Sequence, residues 1–162
     1  MGTDYNLLNV IIQASVGLII FATLLIYFFQ LRTMKKGTLG QNTISLINFI
    51  QDEKARNARD VVMSNLKDKN YSDWETEEKK SASRVCSTYD IVSILIYQQR
   101  LVKPDLVIDN WGPSIKKCYN ILEPHIEEMQ KPENAGPDYW DDFVFLYNKV
   151  IQSKKFDNVG ND

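Results

Sequence analysis

One side chain in this sequence, the single histidine His125, has an ordinary pKa close to neutral pH. It stands between Pro124 and Ile126, where an imidazole could act as a general base beside a kink in the chain. Asp90 is the second candidate for chemistry. It sits in Tyr89-Asp90-Ile91, where a charged stretch turns apolar, and a carboxylate buried there needs a partner such as Arg59, Arg84 or Arg100. Spacing assigns His125 neither a nucleophile nor an orienting acid, so the simpler reading makes both residues structural. Cys86 and Cys118 fall on apolar stripes and read as small core residues rather than nucleophiles. Glu75, Glu77 and Glu78, and the pair Glu127 and Glu128, lie close to Lys79, Lys80 and Lys131. That pattern fits solvated mixed-charge faces better than a cation site. The sequence has no phosphate-binding glycine loop, nucleophile elbow or metal-ligand cluster. No cofactor and no metal are therefore expected, and the chain leans away from the enzymes. Trp111 and Trp140, each beside a loop, are the best candidates for an exposed partner surface.

Charge distribution shows where these residues are carried. The chain has 162 residues with 19 Lys and Arg, 21 Asp and Glu, and a formal charge of -2, so a basic nucleic-acid binder is not expected. Before Arg32 the only charged side chain is Asp4. Val10 to Phe29 is 20 residues without a charge, enough for a helix of roughly 30 Å, the thickness of a bilayer's hydrocarbon core. A cleaved signal peptide fits poorly, because no Lys or Arg precedes the apolar run and it ends in Tyr27-Phe28-Phe29. Gly2 invites myristoylation, but Asn6 stands where Ser or Thr is preferred. Arg32, Lys35 and Lys36 follow the span, so the positive-inside rule puts the long C-terminal part in the cytoplasm and the N-terminus outside. The cysteines are then expected as reduced thiols. Gly17 and Gln13 would permit helix association within the bilayer, although no small residue recurs four positions on, where Phe21 stands.

The expected division is a short external N-terminus (1–9), a transmembrane helix (10–31), a basic juxtamembrane hinge with Gly37 and Gly40 (32–40), a helical cytoplasmic domain (41–153) and a frayed tail (154–162). Within the domain, Ile44, Ile47 and Ile50 predict a short first helix. Asp52 predicts the cap of a second, whose buried face is Ala55, Ala58, Val62 and Leu66. Ser72-Asp73-Trp74-Glu75 reads as a capping box opening a long central helix to about Arg100. Pro104 opens a short helix ending near Gly112, Pro113 starts another that Pro124 kinks, and a last helix runs from about Asp138 to Ser153. The fold class is all-α: one N-terminal transmembrane helix followed by a five- or six-helix bundle.

The order of these features resembles a bacterial family of small single-span membrane proteins with an all-α cytoplasmic domain of unknown function. The residues that carry the likeness are Ser45 to Ile50, Cys86-Ser87-Thr88-Tyr89-Asp90-Ile91-Val92, Leu101-Val102, Trp111, Leu122-Glu123-Pro124-His125-Ile126 and Tyr139-Trp140-Asp141-Asp142-Phe143. The resemblance implies a bacterial inner membrane and an all-α domain, and it brings no catalytic residues. The expected function is a membrane-anchored, non-enzymatic interaction module, its partners the lipid bilayer and either another protein or a second copy of itself. The alternatives are an oligomerising membrane effector or envelope stress or defence component, and a small membrane-bound enzyme with its site near Pro124.

Overall fold

The computed structural model describes residues 3–153 and 155, with side chains from residue 10 onward. Apart from residue 155, the expected frayed tail lies outside the described residues. The described residues form helices and turns, with no strand among them. The chain divides into two units, residues 1–41 and 42–162.

The first unit is helical. Helix α1 runs from Thr3 to Ile50, and its apolar stretch is long enough to cross a membrane. Val10, Gly17 and Phe29 are exposed, as are all residues from Val10 to Arg32. The hydroxyls of Ser15 and Thr23 each donate to the carbonyl four residues back, at 2.8 Å, so neither demands a partner outside the helix. The helix continues without a break through Gly37 and Gly40, where the sequence suggested a hinge. Glycine costs a helix about 1 kcal/mol relative to alanine, and two such costs are small beside the helical turns on either side.

The second unit opens with the end of α1, where Leu46 and Ile50 are buried while Ile44 is exposed. The separate first helix expected there is the last two turns of α1. Helix α2 (Glu53–Val61) starts at Asp52, whose carboxylate accepts the amides of Lys54 at 3.0 Å and Ala55 at 3.4 Å. It continues through a wider π-type turn over Val62–Leu66, and its expected face of Ala55, Ala58, Val62 and Leu66 is buried. A short turn at Tyr71–Asp73 follows. Helix α3 (Thr76–Ser93) extends through a second π-type turn, Ile94–Gln98. Its N-terminal box is Glu75 with Glu78, whose carboxylate accepts the Glu75 amide at 2.7 Å; Ser72 bonds Asp73 instead. As expected, α3 is central, packing on α2, α4 and α5.

Helix α4 (Pro104–Met129) is one helix where two were expected, with Pro113 and Pro124 inside it. Each proline frees one carbonyl, of Asp109 and of Asn120, and both of those residues are exposed, so water can take the lost bond. A buried stripe of Val107, Ile108, Gly112, Ile115, Cys118, Leu122 and Ile126 runs past both prolines and outweighs the local break signals. Helix α5 (Asp141–Gln152) starts three residues later than the acidic cluster suggested, because Trp140 adopts a left-handed conformation with φ 61°. Such a φ costs a non-glycine residue of order 1–3 kcal/mol.

Continuity of α1 has a direct test. A Cβ at Gly37 or Gly40 would meet nothing within 4 Å. We expect the doubly substituted Gly37→Ala, Gly40→Ala chain to keep its thermal stability and to gain helicity by circular dichroism, since each alanine favours the helix by about 1 kcal/mol. A loss of helicity or of folding would show that residues 37–40 must bend.

Candidate functional site

Helix α3 carries three half-buried polar residues along one line. Ser83, Ser87 and Asp90 recur at four and three positions, which places them on a single face. Each meets a group from outside α3. The Ser83 hydroxyl lies 2.9 Å from His125 Nε2, the Trp140 indole N–H donates to Ser87 Oγ at 3.1 Å, and the Phe143 backbone N–H donates to the Asp90 carboxylate at 3.1 Å.

His125 is buried on α4, with 3% of its surface exposed. Its Nδ1 lies 3.2 Å from the Tyr71 hydroxyl, so both ring nitrogens are engaged. The Ser83 hydroxyl donates to the Lys79 carbonyl at 2.9 Å. Ser83 Oγ must then accept from His125, which puts the imidazole proton on Nε2 and leaves Nδ1 to accept from Tyr71. The rings of Tyr71, Trp74 and Trp140 surround the imidazole, with centroids 5.7, 6.0 and 5.4 Å away. Burial, reinforced by the Lys79 charge, pushes the His125 pKa down to about 4. The imidazole is therefore neutral at pH 7. In this proton arrangement it donates to Ser83, the reverse of what a general base activating a serine requires.

Asp90 has a partner of a different kind from the arginines expected. Arg59, Arg84 and Arg100 make no ion pair with it among the described residues. Its carboxylate takes the amide of Phe143 in the first turn of α5, a turn that Trp140 does not cap with its own side chain. Asp90 thus caps a neighbouring helix. Burial pushes its carboxyl above the ordinary value; the Phe143 amide opposes this, and Asp142 and Asp141 add to it.

Cys86 and Cys118 are buried as free thiols, and burial raises both, Cys118 to about 12, so neither is a thiolate at neutral pH. Trp140, expected as an exposed anchor, is 5% exposed. Trp111 is half-buried against the core. Arg32, Lys35 and Lys36 are exposed on α1. A depression beside Pro124 is lined by Met63, Leu66, Trp74, Asn120, Ile121 and three lysines, with no acid, hydroxyl, thiol or histidine among them.

A wide groove adjoins His125. It holds about 810 Å³ and is walled by α3 from Thr76 to Ile91, with Phe49, Asp52, Ala55, Tyr71, His125 and Met129 from other parts of this unit. Three cations reach it, Lys79, Lys80 and Arg84. The sequence reading missed Tyr71, Ser83 and Ser87, which stand 54, 42 and 38 positions from His125. The one available signal was the helical spacing of Ser83, Ser87 and Asp90. Among the described residues no group of His, Cys, Asp and Glu could hold a metal.

Residues 17–150 match a family model described as a domain of unknown function, DUF4760. No curated protein and no solved structure matches the chain.

Two outcomes follow from the site's electrostatics. The folded state holds His125 at about 4 against an ordinary 6.5, so between those values the unfolded chain binds more protons. Stability from this residue is complete above about pH 6.5 and falls as pH drops toward 4, with a slope of at most about 1.4 kcal/mol per pH unit. Urea melts of wild type and His125→Gln from pH 7 to 4.5 should show the slope reduced in the variant. For Asp90, alanine should cost about 1–2 kcal/mol by removing the cap of α5, whereas Asp90→Asn keeps an acceptor oxygen and should cost less, again by urea melts.

Proposed function

The chain belongs to the DUF4760 family, a domain of unknown function, and from that premise we propose a single-span membrane protein whose helical domain works by binding a partner rather than by catalysis. One observation carries the second half of this reading: the groups suited to chemistry are held in structural roles. His125 is neutral with both nitrogens bonded, Ser83 donates to a carbonyl, Asp90 caps α5, and the thiols are buried and protonated. The first half is supported by the exposed apolar length of α1. On this reading Arg32, Lys35 and Lys36 hold the domain on the cytoplasmic side of a bacterial inner membrane, and the half-buried Trp111 is the aromatic contact for a protein partner.

Cross-linking in membranes, followed by mass spectrometry of the purified full-length protein, tests this. We expect a stoichiometric protein partner, captured equally by wild type and Ser83→Ala and less by Trp111→Ala. Recovery of self-association alone would move the reading to an oligomerising membrane effector. A Ser83→Ala chain that folds and captures the partner yet loses its cellular phenotype would overturn the non-catalytic role.

A further inference from the structure

We infer that the groove beside His125 is a binding site for a phosphate-bearing amphiphile, its phosphate held by Lys79, Arg84 and Ser87 and its apolar part lying on Phe49 and Ile91. The inference deepens the reading of the domain as a binding module and rests on it. It begins with charge. The 126 residues after Lys36 carry 16 basic and 20 acidic side chains, yet this groove is lined by three cations and one carboxylate, Asp52. Asp52 is occupied as the cap of α2, bonded to the Lys54 and Ala55 amides. Lys80 is paired with Glu77 at 2.6 Å.

The other two cations are unpaired. The Arg84 guanidinium has no hydrogen bond or ion pair among the described residues. Lys79 Nζ lies 4.9 Å from the Tyr71 ring centroid and is near enough to Glu128 to favour its charged form, but it forms no ion pair among the described residues. Ser87 Oγ accepts the Trp140 indole N–H, and its own hydroxyl hydrogen has no acceptor among the described residues. A planar guanidinium fork, an ammonium and a hydroxyl along one wall suit a group with three terminal oxygens better than a carboxylate with two. They project from a helix whose facing side is fixed by hydrogen bonds to His125, Trp140 and Phe143, so binding has to order only the side chains themselves.

The apolar half of the ligand follows from the rest of the lining. Phe49 is 37% and Ile91 41% exposed, large apolar side chains left open beside the cations, with Ala55 and Met129 in the same wall. A phosphatidic-acid headgroup and a free phosphate monoester share this chemistry, and the two sources can be separated by experiment.

The test uses the full-length protein in phosphatidylcholine nanodiscs, titrated calorimetrically with butyl phosphate, inorganic phosphate and butanol. We expect butyl phosphate to bind more tightly than inorganic phosphate and butanol not to bind. Lys79→Gln and Arg84→Gln should each weaken butyl phosphate about tenfold or more, while Lys103→Gln, outside the groove, leaves it unchanged. Arg84 is exposed and Lys79 half-buried, and matching thermal melts would show that both variants fold. Adding phosphatidic acid to the nanodisc should suppress the butyl phosphate signal if a lipid headgroup fills the site; an unchanged signal assigns the site to a soluble ester. Absence of binding, or equal binding by the Lys79→Gln, Arg84→Gln double variant, would overturn the inference while leaving partner capture by the domain intact. Release of phosphate from bound butyl phosphate would keep the site and overturn the binding-only reading.

Discussion

Helix α3 packs on α2, α4 and α5, and Ser83, Ser87 and Asp90 on it are half-buried, each turned toward a group from another element. Val85, Cys86, Tyr89 and Val92 supply the apolar part of its surface, while Ser83, Ser87 and Asp90 lie along the same helix as a polar seam. A net hydrogen bond is worth only about 1 kcal/mol, but a buried polar group left without one costs about 1–3 kcal/mol. The seam therefore works less by adding stability than by penalising misalignment. Sliding α4 by one turn would move His125 away from Ser83, and rotating the corner before α5 would remove both the indole from Ser87 and the amide from Asp90. The apolar core would tolerate several such shifts, since Leu, Ile and Val interchange with small losses. The seam narrows the allowed registers of α4 and α5.

The same bonds give His125 and Ser83 their structural roles. A histidine within 2.9 Å of a serine hydroxyl and backed by a tyrosine has the outline of a catalytic triad. Its proton assignment runs the other way. Ser83 sits in a helix and donates to the carbonyl four residues back, as helical serines do, so its oxygen is an acceptor toward His125. The aromatic rings that exclude water also hold the imidazole neutral. Proximity of the right residue types is thus a consequence of satisfying the buried His125 from a half-buried polar seam, and chemistry would first require breaking the Ser83 bond to Lys79.

Most of the helical architecture was legible from periodicity. The α2 stripe, its Asp52 cap, the central position of α3 and the apolar length of α1 all follow from which residue types recur every three or four positions. The failures have one character. Gly37, Gly40, Gly112 and Pro113 read as breaks because local propensity disfavours helix there, yet α1 and α4 pass through them. In α4 the reason is tertiary: a continuous buried stripe outweighs a cost of about 3 kcal/mol for an interior proline. Asp90 was legible as a buried carboxylate in need of a partner, and its partner was not, because a backbone amide has no residue type to recognise. Trp140 was misplaced for a related reason: its position beside a loop suggested exposure, whereas the loop folds back to bury it.

That corner ties the fold to the groove. Trp140 enters α5 in a left-handed conformation, a geometry in which it supplies no side-chain cap of its own. The strain is tolerated because Asp90 caps the helix from outside and the buried indole bonds Ser87. Removing either interaction leaves the other holding an unfavourable backbone, so Asp90, Trp140 and Ser87 stand or fall together. Ser83, Ser87 and His125 belong to the seam on one side and to the groove wall on the other. The wall is consequently as rigid as the register it enforces, and the exposed cations beside it project from a surface that the interior of the protein has already fixed.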